Sequence, residues 1–508
     1  MTPVCGVDPR TATALPVVTE ETTAAQVDAV AELAAVAATG LEAMGRLGRG
    51  ELLDAIADAV ERHRDELITT ASLETGFTTG KLDGELTRAA YQFRFFANVV
   101  REGTYLEATI DHAGTTPMGP RPDLRRLLVP IGPVAVFGAS NFPFAFSVLG
   151  GDTASALAAG SPVVAKAHES HPATSALSFD VLAGAVVRTR APGGAVGIVY
   201  GRDAGARLVA HPAVRAVSFT GSLSGGNAVL DIINRRAEPI PFYGELSSLN
   251  PVIVTPAAAA ERGETIGTDL VASFTLGAGQ LCTKPGVVLV PDSSAGDALV
   301  GAVRAAVAEA PAAPLLNERI FDGYRSATRS LRGQRHLAIL TEAGADPAAG
   351  GFRVRPSAFQ TDLAHLSDGV VTEIFGPVTV IVRYPTSDVE EATRAVLEMV
   401  PRSLTVTIHH GADEDGLLTR LTDTARPSGG RIVYNGFPTG VAVSWGQTHG
   451  GPWPSTNSLH TSVGATAIRR FLRPVTYQGA PESVLPEELR EGFDVIVRRV
   501  DGVLRVPG

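Results

Sequence analysis

Cysteine is nearly absent from this 508-residue chain, which carries only Cys5 and Cys282. Two thiols cannot build a disulfide framework, so a reducing compartment is expected and the cytoplasm is the default location. Lysine is almost as scarce, at Lys81, Lys166 and Lys284 against many arginines. Long apolar runs are missing as well. Proline, glycine or a charge interrupts every apolar stretch before it reaches about 18 residues, so no membrane-spanning helix is expected. Met1 to Val18 have no basic start followed by an apolar core and do not read as a signal peptide. Positive charge is in deficit, with a formal net charge of -10. A net acidic surface argues against nucleic acid or an anionic membrane as the main partner, because both are polyanions. A local basic site for a small phosphate stays open.

What the chain does have is length and apolar content. At 508 residues and 44% hydrophobic it exceeds one ordinary core and suffices for two or three globular domains. From about Thr22 to Gly103 the apolar spacing predicts three amphipathic helices, with stripes at Val27, Val30, Leu33 and Ala34, at Leu52, Leu53, Ile56 and Val60, and at Tyr91, Phe95 and Val99. From Leu124 onward short Val/Ile/Leu runs alternate with helical segments: 134–137, 163–165, 196–199, 217–219 and 252–254. That alternation predicts βαβ units and a parallel, doubly wound sheet. A second series at 286–290, 378–383, 404–408 and 431–434 predicts a second α/β domain. Stretches near 310–314 and 343–351 read as surface loops. The tail after Phe471 is polar, with a late apolar alternation at 493–497, and reads as an exchanged strand or arm that would favour a homo-oligomer.

Six short segments carry groups that could do chemistry, and the first two lie where a predicted strand ends, the place where ligands of open α/β sheets bind. In GASNFPF, Asn141 offers a neutral N–H donor suited to a developing oxyanion, or is a turn asparagine. In VVAKAHES, Lys166 either meets a cofactor ribose or phosphate or is a solvated strand-end lysine. His168 and His171 lie beside it without a Cys/His/Asp cluster, so no metal site is expected. In FTGS, the backbone N–H groups of Gly221 and Ser222 either hold a pyrophosphate or belong to an ordinary helix cap. Glu245 in YGELSSL sits in an apolar setting expected to raise its pKa toward that of a general base. Cys282 in GAGQLCTKPG is either a buried core thiol or a nucleophile, and the Gly-rich turn argues against simple packing. Cys5 has polar surroundings in what reads as a mobile N-terminus and receives no role. In EIFGPV, Glu373 is placed to accept from ribose hydroxyls with Phe375 packing beside a ring; the plain alternative is a surface turn.

Taken together and in this order, these segments resemble the aldehyde dehydrogenase superfamily over nearly the whole chain. The runs PDLRRLLVPIGPVAVFGASNFPFAFSVLGGDTASALAAG, NGFPTGVAVSW, HGGPWPST and TSVGATAIRRFLRPVTYQ resemble its α-ketoglutaric semialdehyde (2,5-dioxovalerate) dehydrogenase branch, near the NADP-dependent long-chain aldehyde dehydrogenase of luminous bacteria. The sequence departs from that branch at Lys284, where Asn is usual, and at Ser247–Ser248, where Gly-Gly is commoner. Trp445 and Gln447 are unusual residues of a substrate-side loop. The resemblance implies an α/β fold of two doubly wound domains plus a small oligomerisation arm: 1–250 for helices and the Rossmann-like cofactor domain, 251–435 for the thiol domain, 436–508 for a return segment and arm. It implies Cys282 as nucleophile, Asn141 with the Cys282 N–H as oxyanion donors, and Glu245 activating water to hydrolyse a thioester.

The cofactor implied is NADP, with NAD as the alternative. Glu169, three residues after Lys166, suits NAD ribose hydroxyls and repels a 2′-phosphate. His168, Arg202 and the branch resemblance favour NADP. The implied partner is a small aldehyde, 2,5-dioxopentanoate or a fatty or aliphatic aldehyde, with Arg94 and Phe142 as substrate contacts and a homodimer or homotetramer as the assembly. A CoA-acylating enzyme and an inactive binding homologue are the competing classes; Glu245 beside Cys282 argues against both.

Overall fold

The computed structural model describes residues 2–341, 350–367 and 369–507. The loop expected at 343–351 therefore falls largely outside the described residues. The N-terminal region holds four helices rather than three: α1 (Ala24–Ala43), α2 (Gly45–Arg62), α3 (Arg64–Thr75) and α4 (Thr79–Glu102). The extra helix, α3, buries only a short apolar set that includes Leu67, Ile68 and Ala71, too few for a clear stripe. In α1 the buried face is mostly alanine (Ala31, Ala34, Ala37) with Val27 and Leu41, while Leu33 is exposed. Its composition and length would pass for a membrane span. In the fold, Val27, Ala31 and Ala34 pack into a cluster with Val164 and Val199. Before α1, residues Pro3–Asp8 and Thr13–Glu20 pair as an antiparallel hairpin, and Cys5 is half-buried opposite Val17. The N-terminus is ordered by this pairing, against the expectation of a mobile segment.

The first sheet contains β1 (Val134–Phe137), β2 (Val163–Lys166), β3 (Val196–Val199), β4 (Ala216–Thr220) and β5 (Phe242–Glu245), all parallel in the order β5-β4-β1-β2-β3. Helices α5 (Gly151–Ala159), α6 (Pro172–Arg188), α7 (Arg202–Ala210) and α8 (Leu223–Asn234) connect these strands. The strands are short and Val-rich because both faces are covered. Chain direction across the sheet reverses between β1 and β4, and that switch point opens a crevice at the carboxyl ends.

The second sheet contains β6 (Val252–Val254), β7 (Val287–Asp292), β8 (Ala338–Thr341), β9 (Ser357–Asp362), β10 (Val378–Pro385), β11 (Ser403–His409) and β12 (Gly429–Tyr434), in the order β8-β9-β10-β7-β6-β11-β12. All pairs are parallel except β8 with β9. Helix α9 (Pro256–Thr275) joins β6 to the segment bearing Cys282. Here the expected strands are present, each slightly longer than its apolar run.

The tail is not free. Leu472–Gln478 pairs antiparallel with Leu124–Pro130 of the same chain, and Arg498–Val500 pairs parallel with Thr109–Asp111. The alternation at 493–497 forms no strand; the strand begins at Arg498. Arg470, at the start of this return, is buried with Asp152 of α5 and donates from Nη1 to Ser218 of β4 at 3.2 Å. Ser218 in turn donates to Asp152 at 2.5 Å. Breaking a buried pair of this kind strands a charge at a cost of about 3–5 kcal/mol, so the triad ties the return segment to the first sheet.

Candidate active site

Cys282 follows a run of three residues with left-handed backbone: Gly277 (φ 59), Ala278 (φ 58) and Gly279 (φ 68). A Cβ on Gly279 would lie 2.3 Å from the Gly376 carbonyl carbon, so this glycine is required for the turn to seat against the EIFGP segment. Asn250 holds the far side of the loop. Its Nδ2 donates to the carbonyls of Cys282 (2.8 Å) and Lys284 (3.0 Å), and its Oδ1 accepts from Ser248 (2.6 Å) and Thr405. The Cys282 loop is thereby held on one side by the turn before β10 and on the other by Asn250.

The thiol faces two groups from distant parts of the chain. His449 Nε2 lies 3.6 Å from Cys282 Sγ and 2.7 Å from Glu245 Oε1. Glu245 sits at the end of β5, and its Oε2 accepts from the Ser462 hydroxyl. His449 is clamped through its backbone: its N–H donates to Thr461 Oγ1 at 2.6 Å and its carbonyl accepts from Ser462 N at 2.8 Å. The ligand-type atoms of Glu245, Cys282 and His449 lie within 4.8 Å of one another. Burial, then the Glu245 and Glu373 carboxylates, push the Cys282 thiol well above its ordinary value. Burial alone would raise Glu245 too, but the adjacent His449, the Ser462 hydrogen bond and Arg470 together bring it below the usual glutamate value. The expected upward shift of Glu245 is thus reversed by neighbours far away in sequence, His449 foremost.

Asn141 lies beside this trio. Its Nδ2 donates to Gln280 O at 2.6 Å, two residues before the cysteine, which engages one of the two amide N–H bonds. The 141–147 segment is held by α4. Glu85 Oε1 accepts from the Phe144 and Ala145 N–H groups at 2.8 and 3.1 Å, and Lys81 Nζ reaches Glu85 at 3.2 Å and the Asn141 carbonyl at 3.4 Å. Phe142 is half-buried; Lys81 Nζ lies 5.1 Å from its ring centroid, and it meets Phe146 edge-on at 5.2 Å.

The crevice of the first sheet adjoins the trio. Lys166 ends β2 with its ammonium lowered by burial; its Nζ is 3.8 Å from Glu169, which also lies 3.9 Å from the exposed Arg202 at the start of α7. Arg319 adds further positive potential there. His168 stacks on His171 and accepts from Ser170 N at 3.1 Å; burial first, then His171 and the nearby cations, push it well below the ordinary histidine range. These influences favour the neutral imidazole of His168, which can still donate a hydrogen bond to a ligand oxygen. Gly221 N–H donates to the Glu245 carbonyl at 3.0 Å and the Ser222 hydroxyl caps α8 at Gly225 N, so the helix-cap reading of FTGS holds for these two groups. A Cβ on Gly221 would meet the Phe219 ring at 2.8 Å, which keeps this strand end shallow enough for a flat ligand to approach.

Glu373 accepts from the Ser247 side chain and the Ser248 N–H, and burial raises its carboxyl. Lys284 is buried with Nζ on Val378 O at 2.7 Å; burial lowers its ammonium, and its charge steadies Glu373. Phe375 is half-buried one residue before Gly376. Lys166, Arg202 and Arg319 around the Glu169 carboxylate make a donor and acceptor set that fits a nicotinamide dinucleotide.

The pattern of the aldehyde dehydrogenase family matches residues 4–398. The chain belongs to the aldehyde dehydrogenase family. It is 46% identical over 94% of its length, and 91% of the relative's, to α-ketoglutaric semialdehyde dehydrogenase 2 of Azospirillum brasilense. It is 41% identical over 90% of its length, and 87% of the relative's, to the α-ketoglutaric semialdehyde dehydrogenase of Acinetobacter baylyi. Aldehyde dehydrogenase C of Pseudomonas syringae, solved with NAD+ and octanal, superposes with a TM-score of 0.79 over 94% of each chain at 20% identity. The shared fold comprises the α/β sheets expected from the resemblance.

In this dehydrogenase Cys282, Asn141, Glu245 and Glu373 are brought together. Arg94 is not. It lies in a surface ion-pair cluster with Asp58 (2.8 Å) and Glu61 (2.7 Å) of α2. The arginine of α4 that faces the site is Arg88, beneath which lies Phe146. Its signal was available as the spacing Lys81, Glu85, Arg88, Gln92, a polar stripe on an otherwise apolar buried face. His449 had no local signal beyond the run HGGPWPST. Trp445 packs against Phe95 and is half-exposed, and Gln447 turns back to Thr448 O.

Proposed function

We propose that this dehydrogenase oxidises 2,5-dioxopentanoate to 2-oxoglutarate and prefers NADP over NAD. The chemistry rests on one observation: a thiol, an imidazole and a carboxylate share a buried site within 4.8 Å. The substrate rests on the two relatives of that specificity, each covering most of the chain.

In this mechanism the resting Cys282 is a thiol. Its proton leaves toward the His449–Glu245 pair as the sulfur attacks the aldehyde carbon. The oxyanion that forms accepts from the second Asn141 amide N–H and from the Cys282 backbone N–H, and one such donor is typically worth about 3 kcal/mol. Hydride acceptance is the chemistry that NAD(P) supplies when bound, held by Lys166, Arg202 and Glu373. Once that first proton has passed to solvent, Glu245, kept ionised by His449, draws a proton from water as the oxygen adds to the acyl carbon; the carbon–sulfur bond breaks, Cys282 takes the proton back from Glu245 and the acid leaves. The preference for NADP follows from the excess of Lys166, Arg202 and Arg319 over Glu169, which leaves net positive charge for a 2′-phosphate.

An aldehyde panel assayed with both cofactors tests this. It includes 2,5-dioxopentanoate, succinate semialdehyde, glycolaldehyde, and short and long aliphatic aldehydes. The expected result is the highest kcat/KM for 2,5-dioxopentanoate with NADP; a higher value for a long aliphatic aldehyde sinks the substrate assignment, and a large NAD preference sinks the cofactor assignment.

We propose further that the enzyme is a cytoplasmic homo-oligomer. Val503–Arg505 forms an edge strand with Val503 and Leu504 exposed, a surface that ordinarily requires cover. Sedimentation equilibrium of the full chain is expected to give a dimer or tetramer, and a monomer at micromolar concentration would count against this.

A further inference from the structure

Arg88 and Arg431 are the feature the mechanism leaves unused. Arg88 projects from α4 with its guanidinium 5.3 Å from the Phe146 ring centroid, and its Nη1 donates to the Val441 carbonyl. Arg431 projects from β12; its Nη1 donates to the Gly440 carbonyl at 3.0 Å and its Nη2 to the Pro438 carbonyl. One loop, 438–441, thus fixes both side chains through neutral carbonyls. Neither arginine makes an ion pair among the described residues. Arg88 keeps Nε and Nη2 buried and without a hydrogen-bond partner, and Arg431 keeps Nε in the same state. Burial lowers both guanidinium pKa values; against it Arg88 feels the Glu85 carboxylate first, then Cys282 and Glu245, and Arg431 feels Cys282.

Buried N–H donors without partners are costly and rarely persist without a ligand to satisfy them. The unpartnered pair on Arg88 is not arbitrary. Nε and Nη2 share the guanidinium edge whose two N–H bonds run parallel, the edge that receives a carboxylate in bidentate fashion. The single unpartnered donor on Arg431 suits a single oxygen. The 438–441 carbonyls hold the guanidinium planes without neutralising them, so the positive charge stays available.

We propose that Arg88 and Arg431 form the subsite for the far end of a 2-oxo acid aldehyde, with Arg88 gripping the carboxylate through its Nε–Nη2 edge and Arg431 donating to the 2-oxo oxygen. The assignment rests on the reading that such an aldehyde is the substrate. It also explains specificity: a neutral alkyl chain would leave three buried donors unsatisfied, whereas a 2-oxo carboxylate satisfies all of them.

The test compares wild type with Arg88→Gln, Arg88→Lys and Arg431→Met, using 2,5-dioxopentanoate, succinate semialdehyde and pentanal. In Arg88→Gln the ratio of kcat/KM for 2,5-dioxopentanoate over pentanal is expected to fall about 100-fold, the scale of lost hydrogen bonds to a charged group. Arg88→Lys keeps the charge but loses the fork, and its ratio falls between the two. Arg431→Met lowers the preference for 2,5-dioxopentanoate over succinate semialdehyde, which lacks the 2-oxo group. An unchanged ratio in both Arg88 variants overturns the proposal. A second readout does not depend on the physiological aldehyde. Glutarate should inhibit pentanal oxidation competitively in wild type and lose that inhibition in Arg88→Gln. If wild type prefers pentanal yet glutarate still inhibits through Arg88, the substrate reading falls and the anion subsite stands. Equal glutarate inhibition in wild type and variant removes the subsite.

Discussion

Glu245→Gln is expected to lower steady-state turnover by about 10²–10⁴-fold, the range of general acid–base contributions, while making Cys282 more reactive toward a neutral alkylating reagent. The two effects run in opposite directions because Glu245 has two consequences for the thiol. Its carboxylate draws the proton from water in the hydrolytic step. Standing beside Cys282, it also disfavours the thiolate; only burial has a larger effect on that thiol. The sign is then determined. A raised thiol pKa means that the thiolate fraction, and the alkylation rate, climb with pH and stay low near neutrality. Removing the negative charge lowers that pKa, so the iodoacetamide rate profile of the variant shifts to lower pH. A pre-steady-state burst of reduced cofactor should accompany the slow turnover, because the acylated cysteine accumulates when hydrolysis fails. An unshifted alkylation profile, or slow turnover without a burst, would show that Glu245 serves some other step.

His449→Asn is expected to cost about 10³-fold in kcat/KM at pH 6 and clearly less at pH 9, within the range for loss of a proton-transfer partner. The pH dependence is the discriminating part. His449 is the chief influence holding the Glu245 carboxyl below its usual value against the larger opposing effect of burial. Without the imidazole, burial prevails and the carboxyl pKa rises. A base that must be ionised then requires higher pH, so the acid limb of the pH–rate profile moves upward. A loss of equal size at every pH would mean that His449 only packs the site, through its contact with Phe146. The double variant with Glu245→Gln should lose little more than the worse single variant, since the two side chains act as one unit.

Which parts of this site could be read in advance follows from where their partners lie. Asn141 and Glu245 at or just past strand ends, and Cys282 in the turn after α9, lie inside short, dense motifs whose order along the chain was enough to assign a family. Arg94, implied by resemblance alone, sits on the right helix but on its outer face, where Asp58 and Glu61 pair with it, while the helical period turns Arg88 inward. His168 adjoins the Lys166 strand end, where burial and stacking on His171 favour its neutral form. The alternating runs marked the buried, Val-rich strands of the two large sheets, because buried parallel strands are continuous apolar runs, and left out β5, β8 and β9, whose sequences FYGE, AILT and SAFQTD are short or mixed with polar residues. The N-terminal hairpin and helix α3 escaped because neither has enough buried residues to impose a period.

The sequence by itself determined the fold class and the family, and it singled out Cys282 as the candidate nucleophile, since each is carried by local pattern: apolar period, short motifs in a set order, and one cysteine in a glycine-rich turn. Only the tertiary structure decided the charge states around that cysteine and the groups that could hold a substrate's far end. Glu245 is brought below rather than above its ordinary pKa by His449, and the thiol is raised by Glu245 and Glu373 as well as by burial. Arg88 and Arg431, 343 positions apart, are both held by carbonyls of the 438–441 loop. Electrostatic interactions depend on distance in space, and residues that are neighbours there come from segments hundreds of positions apart. No window along the chain contains that information.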